Sequence, residues 1–136
     1  DERQELSFVF AKDAAEAVVR CLDHEPAAGQ TYNLAAPEAL TLGGVVREIQ
    51  RQLGRRSLAL PLPAGALWLA CAGQELISRL TRRPHILSRE KYPELRAPGW
   101  VCDVTRLQRE VGFVAPTDFR AGLAETLKWY RAAGWL

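Results

Sequence analysis

Few side chains in this sequence have the types and spacing that catalysis or metal binding requires. The three cysteines at positions 21, 71 and 102 are far apart with no Cys-x-x-Cys pair, and the two histidines, His24 and His85, lie 61 positions apart. The sequence therefore predicts no zinc site and no disulfide framework, and it favours a reducing compartment, for which we assign the cytoplasm. We interpret both histidines as surface residues beside loops rather than general bases.

The sequence also lacks the usual motifs for nucleotide binding and covalent catalysis. It contains no G-x-G-x-x-G loop, P-loop or G-x-S-x-G elbow. The nearest approach to a Tyr-x-x-x-Lys pair is Tyr92 followed at that offset by Arg96. Asp13 and Asp103 precede helical patterns and are interpreted as helix caps rather than catalytic acids. We therefore predict no catalytic residue, no bound cofactor and no metal in this chain.

Composition predicts one soluble globular domain over residues 1–136. The hydrophobic share is 48%, the charged share 25%, and 18 basic against 16 acidic residues leave a net charge of +2. The hydrophobic share excludes a disordered chain. The small net charge does not indicate binding to nucleic acid or to an anionic membrane. Because the sequence has no methionine, we expect the chain to be processed or to be a piece of a larger protein.

A charge-free stretch over residues 57–74 is long enough to suggest a membrane span. Pro61, Pro63 and Gly65 interrupt it, and the helical part alone is too short before Glu75. We therefore expect no membrane span. The stretch is interpreted as ordinary core or, alternatively, as a helix that lines a substrate or is covered by a partner.

The elements that must position these residues alternate between strands and amphipathic helices, which predicts an α/β protein with a small, mostly parallel sheet. Strands are predicted over residues 6–10, 30–34 and 57–60, with a short extended piece over 99–102. Helices are predicted over residues 13–22, 41–54, 64–80, from near Ser88 to 96, 103–112 and 119–133.

Four passages in order resemble one known family. Residues 8–17 combine an aromatic strand, an aspartate and an alanine-rich helix, and residues 29–35 contain G-x-x-Y-N-L. Residues 100–107 with 111–116 are similar to D-x-[ST]-K/R followed by L-G-[FW]-x-P, and residues 122–130 read G-L-x-x-T-x-x-W-Y. Together they resemble the C-terminal part of extended short-chain dehydrogenases/reductases, the NAD-dependent epimerase/dehydratase group.

The resemblance implies the C-terminal part of a Rossmann-type enzyme. The glycine-rich loop, the Tyr/Lys pair and the NAD or NADP site would lie on an N-terminal Rossmann domain that is absent from this chain. This chain would be the substrate-binding portion, not catalytic when isolated, for a small hydroxy or keto substrate. By position, we expect Phe10, Lys12, Tyr92 and Arg96 to contact that substrate.

Two departures from the family pattern bear on the substrate. Relatives that bind nucleotide sugars often have an arginine where this chain has Leu6, and Arg96 is followed by Ala-Pro-Gly with no acid. A diphosphate needs charge-assisted donors. We therefore expect an apolar substrate, as in sterol-dehydrogenase-like or flavonol-reductase-like relatives, with Leu6, Phe10 and the helix at 64–80 contributing.

Two other functions stay open from the sequence. The chain could be a stand-alone binding or interaction module derived from that fold, or an arginine-rich helical adaptor. If the Rossmann domain is absent, its docking face is exposed, and we expect the isolated chain to form homo-oligomers.

Overall fold

A computed structural model describes residues 2–57, 63–81 and 91–136, and these residues form a mixed α/β structure. The described part contains six α-helices, one 3₁₀ turn at Glu25–Ala27 and three very short strands. In chain order, the elements are β1 Glu5–Leu6, α1 Ala11–Leu22, β2 Leu40–Thr41, α2 Leu42–Leu53, α3 Ala64–Thr81, α4 Lys91–Arg96, β3 Gly99–Trp100, α5 Thr105–Val111 and α6 Phe119–Ala132. The α/β class expected from the sequence is confirmed.

The sheet is mixed rather than mostly parallel. Its central strand is β1, which pairs antiparallel with β2 and parallel with β3 in the order β2-β1-β3. The prediction of mostly parallel pairing assumed neighbours at residues 30–34 and 57–60. The second strand instead comes from the two residues directly before α2, which run back along β1. Residues 58–60 of the third predicted strand lie outside the described residues.

Local capping contacts set both ends of α2 and the start of α6. The Thr41 hydroxyl accepts a hydrogen bond from the Gly44 amide at 3.1 Å, and α2 ends at Leu53 before Gly54. The Asp118 carboxylate accepts from the Ala121 amide at 2.7 Å and starts α6. The predicted helices at 41–54, 64–80 and 119–133 are confirmed within a residue or two. For α4, the predicted start near Ser88 lies outside the described residues.

Asp103 lies one residue before the N-cap of α5, which is Val104 rather than the predicted aspartate. Its carboxylate accepts a hydrogen bond from the Thr105 amide at 2.8 Å. Hydrogen bonds from Thr105 hold the pKa of Asp103 below its ordinary value. The negative charge therefore remains at the N-terminal end of the helix, where unpaired amides favour it.

The predicted capping role of Asp13 is wrong. The helix α1 begins two residues earlier, at Ala11, and its N-cap is Phe10, which offers no side-chain acceptor. Asp13 lies inside the first turn, is 4% exposed, and turns its carboxylate toward Thr117. Glu16, on the same helix, pairs with Arg20 at 2.7 Å. The Asp13 carboxylate therefore binds a residue distant in sequence, Thr117, instead of capping its own helix.

The described core lies between α1, α5 and the chain that leads into α6. Its buried members are Ala17, Leu107, Phe113 and Ala115, and four half-buried side chains pack against them: Cys21, Tyr32, Leu34 and Val111. All three cysteines are free thiols. In the described ranges, no helix combines the length and the apolar character needed to cross a membrane.

Candidate functional site

A pocket of about 500 Å³ opens where three segments meet. These are the stretch that leads from β1 into α1, the loop that precedes β2, and the chain that enters α6 together with the first turns of that helix. The volume lies in the range of small-molecule sites in proteins. The described structure therefore offers one well-defined place where a ligand of modest size could bind.

Aromatic rings form the apolar side of this pocket. Phe8 and Phe119 pack with their ring centroids 5.1 Å apart, and Phe10 also lines the space. A side chain at Gly122 would put its Cβ 3.2 Å from the Phe10 ring, so the glycine lets this ring lie directly against α6. Leu40 and Leu123 add aliphatic surface. These contacts favour an apolar ligand.

A buried carboxylate holds part of the pocket wall in place. Asp13 accepts hydrogen bonds from both the amide and the hydroxyl of Thr117, at 2.9 and 2.8 Å. Thr117 itself lines the pocket, next to Pro116 and Asp118. Two hydrogen bonds to a carboxylate fix the backbone as well as the side chain of Thr117. The helix α1 thus positions the segment that leads into α6.

Polar groups in the pocket are few. The polar residues of the described lining are Glu38, Thr117, Asp118 and Thr126, and the Thr126 hydroxyl donates to the Gly122 carbonyl at 2.8 Å. Among the described residues that line the pocket, none is a histidine, cysteine, lysine or arginine. The lining can orient a bound molecule through its oxygen acceptors, but it supplies no nucleophile with an adjacent base.

The structure places the four predicted substrate contacts in two pairs. Phe10 lines the pocket, and the Lys12 ammonium lies 6.0 Å from the Phe10 ring centroid while it forms an ion pair with Glu125. Tyr92 and Arg96 both lie on α4, where Arg96 donates to the Tyr92 hydroxyl at 3.4 Å. Neither of these two residues lines the pocket. Substrate binding by all four residues stays a prediction.

Other predicted contributors lie outside the described lining. Leu6 is a residue of β1, and no described residue of α3 borders the pocket. Sequence reasoning missed the loop at 36–40 and the segment at 115–119. The available signal was the aspartate–phenylalanine pair at the start of α6, followed three residues later by a glycine on the same helix face.

A second arrangement lies along residues 30–34. Tyr32 and Leu34 pack against the core while Thr31 and Asn33 are exposed, which is the alternation of a strand. Side chains hold this stretch against α5: the Tyr32 hydroxyl donates to Glu110 at 3.0 Å, and Asn33 donates to the Asp103 carbonyl at 3.3 Å. Within the described residues, no strand pairs with it.

Electrostatic contacts reinforce that attachment. The Arg106 guanidinium donates to Glu110 and to the Thr31 carbonyl, and it lies 5.1 Å from the Tyr32 ring centroid. The hydrogen bond from Arg106 is the main cause that lowers the pKa of Glu110. Partial burial raises the pKa of the Tyr32 phenol, and the hydrogen bond to Glu110 adds to this shift. The stretch is therefore held by its side chains rather than by a backbone ladder.

No metal centre accompanies these features in residues 2–57, 63–81 and 91–136, where no three His, Cys, Asp or Glu side chains converge. In comparisons with known proteins, no protein-family model, curated protein or solved structure matches this chain.

Proposed function

We propose that this chain is the substrate-binding portion of an NAD(P)-dependent enzyme similar to the extended short-chain dehydrogenases/reductases. The enzyme would be an epimerase, dehydratase or reductase acting on a small hydroxy or keto substrate. In this proposal the chain is the C-terminal part of a Rossmann-type fold. The dinucleotide site and the tyrosine–lysine pair belong to an N-terminal domain, so the isolated chain binds substrate without converting it.

The observation that carries this proposal is the stretch at residues 30–34. It has the side-chain alternation of a strand, and its inward residues Tyr32 and Leu34 already pack on the core. Its backbone forms no ladder with any strand of the described residues. Unpaired edges of this kind are ready to add a neighbouring strand. A larger parallel sheet supplied by a Rossmann domain would provide that neighbour.

The pocket supports the substrate-binding half of the proposal. It has the volume and the largely apolar lining of a small-molecule site, and its described lining contains no histidine, cysteine, lysine or arginine. Such a site can hold a hydroxy or keto compound while another domain carries out the hydride transfer. This division of labour matches what the sequence resemblance implies.

The coding sequence upstream of Asp1 tests the proposal directly. We expect an open reading frame that encodes a strand, a glycine-rich turn and a helix, followed by a Tyr-x-x-x-Lys pair. A start codon close to Asp1, with neither motif before it, would contradict the proposal. As a biochemical companion, NADH titrated into the isolated chain should show no fluorescence change from tight binding.

The alternative is a stand-alone binding module derived from the same fold. One observation favours it, because residues of this chain by themselves line a pocket of about 500 Å³. The upstream sequence separates the two functions. A start codon beside Asp1 together with ligand binding by the isolated chain would support the module.

A further inference from the structure

We infer that Glu38 makes the pocket selective by charge, so that its ligand is an uncharged apolar molecule and anions, phosphorylated compounds included, are rejected. This inference rests on the proposed function in so far as the pocket is taken as the substrate site. It assigns Glu38 a role in specificity that neither the sequence motifs nor the resemblance indicated.

The charged groups that border the pocket are all acidic. Glu38 and Asp118 line it, and Asp13 lies directly behind Thr117. Asp118 is engaged with the Ala121 amide as the cap of α6. Glu38 is exposed, and within the described part of the chain no group donates a hydrogen bond to its carboxylate or forms an ion pair with it. Its charge is therefore not offset by a bonded partner.

Two cations that lie close in sequence to lining residues are paired with carboxylates. Lys12 lies beside the Phe10 ring, but its ammonium pairs with Glu125. Arg120 follows Phe119 at the start of α6, and its guanidinium lies 3.5 Å from the Glu48 carboxylate. A phosphate in the pocket would find the Lys12 ammonium and the Arg120 guanidinium already paired with carboxylates. The local charge therefore opposes an anion.

The apolar lining makes this opposition effective. Phe8, Phe10 and Phe119 give one side of the space an apolar surface, and charge–charge interactions strengthen where the surrounding dielectric constant falls. An anionic ligand in the pocket would have two acidic residues, Glu38 and Asp118, in the lining around it. An uncharged ring system of the same size would gain the same aromatic contacts without that repulsion.

Two fluorescent probes that differ by one charge test the inference. N-phenylnaphthylamine is uncharged, and anilinonaphthalene sulfonate has the same rings with a sulfonate added. Both brighten in apolar sites. At low salt we expect the uncharged probe to bind the whole chain about tenfold more tightly than the sulfonate, with the difference shrinking as salt screens the carboxylates. Equal or tighter binding of the sulfonate would overturn the inference.

Variants show whether the discrimination comes from Glu38. Glu38→Gln should tighten sulfonate binding about threefold and leave the uncharged probe unchanged, because one of the two lining carboxylates is then neutral. Glu25→Gln removes an exposed charge outside the pocket and should change neither probe. If Glu38→Gln behaves like Glu25→Gln, Glu38 is not the source of selectivity and the inference fails.

A pocket-filling variant separates this inference from the proposed function. Leu123→Trp should abolish binding of the uncharged probe, and Thr126→Leu serves the same purpose if Leu123→Trp does not fold. Binding that survives both changes would mean that the probe binds elsewhere, which removes the pocket as a substrate site and overturns both proposals. Pocket-dependent binding with a preference for the sulfonate overturns the charge selectivity alone.

Discussion

The carboxylate of Asp13 shows how much one side chain can determine in this chain. It is buried within α1, yet both of its hydrogen bonds go to Thr117, a residue 104 positions away. The contact joins the first helix to the segment that enters the last one. A single carboxylate therefore links the two ends of the described core and shapes one wall of the pocket.

We expect Asp13→Asn to destabilise the fold by about 1–3 kcal/mol. The substitution replaces one carboxylate oxygen with an NH₂ group, which cannot accept a hydrogen bond from Thr117. Urea unfolding followed by tryptophan fluorescence measures the change. Thr117→Ser keeps the hydroxyl and should cost much less. An Asp13→Asn midpoint equal to that of the unsubstituted chain would show that the buried bonds contribute nothing.

At the scale of elements, a carboxylate on α2 connects that helix to α6. The Glu48 side chain is 15% exposed and accepts hydrogen bonds from Arg51 at 2.5 Å and from Gln52 at 2.8 Å. Gln52 also donates to the Arg120 carbonyl at 2.9 Å. The hydrogen bond from Arg51, followed by the one from Gln52, lowers the pKa of Glu48 from 4.5 to about 2.

This shift predicts an acid-sensitive link between the two helices. Because the folded-state pKa is depressed, Glu48 stabilises the fold above pH 4.5, and that stabilisation disappears as the pH falls toward about 2. Glu48→Gln should therefore lower the urea midpoint near neutral pH and have a vanishing effect at the acid end. A Glu48→Gln effect that is the same at both ends of the pH range would exclude the link.

Substituting alanine for each of two glycines with similar surroundings should change the stability of the fold in opposite directions. Gly112 ends α5 with a φ of +72°, and Gly73 lies inside α3; at neither position would a Cβ meet another atom within 4 Å. Gly112→Ala should cost about 1–2 kcal/mol because L-residues disfavour the left-handed region. Gly73→Ala should stabilise the chain by about 0.5–1 kcal/mol through helix propensity.

Thermal and urea unfolding of the two variants measure these signs. Because neither substitution creates or removes a side-chain contact in the described residues, the difference reports backbone conformation alone. Loss of stability in Gly73→Ala would contradict the helical assignment at that position. A neutral Gly112→Ala would contradict the left-handed end of α5.

At the scale of the whole molecule, apolar side chains are exposed at several places in the described residues, and they include two groups, one on α1 and one at the C-terminus. Val18, Val19 and Leu22 form an exposed stripe on α1, where Leu22 is 79% exposed. At the C-terminus, the rings of Trp129, Tyr130 and Trp135 pack with centroids 5.3–5.5 Å apart, and Trp135 is 69% exposed. Contiguous apolar surface of this kind is typical of interfaces. In the proposed function, a further domain would cover part of it.

We therefore expect the isolated chain to associate with itself at micromolar concentration. Sedimentation velocity over a dilution series measures this. Leu22→Ser should weaken the association if α1 forms the contact, and Trp135→Ser should weaken it if the aromatic cluster does. A single monomeric species throughout the series would contradict the expectation and would weaken the case for an uncovered docking face.

The predicted site shows the limits of reasoning by position along the chain. Of the four residues expected to contact substrate, Phe10 lines the pocket, whereas Tyr92 and Arg96 pair with each other on α4. Position in a resembling sequence indicates the segment, but it does not report which segments meet. The pocket depends on the meeting of residues near 10, 38 and 119, whose proximity no local pattern encodes.

The amino-acid sequence by itself determined the helices, because the residues that start and end each helix lie close together in the chain. Thr41 and Asp118 start helices, and Gly54 and Gly112 end them, through contacts that span a few positions. Tertiary structure alone decided the strand pairing, since each two-residue strand is too short to carry a pattern. It also turned Asp13 from a local cap into a partner of Thr117, because burial favours the site where a carboxylate gains two donors at once.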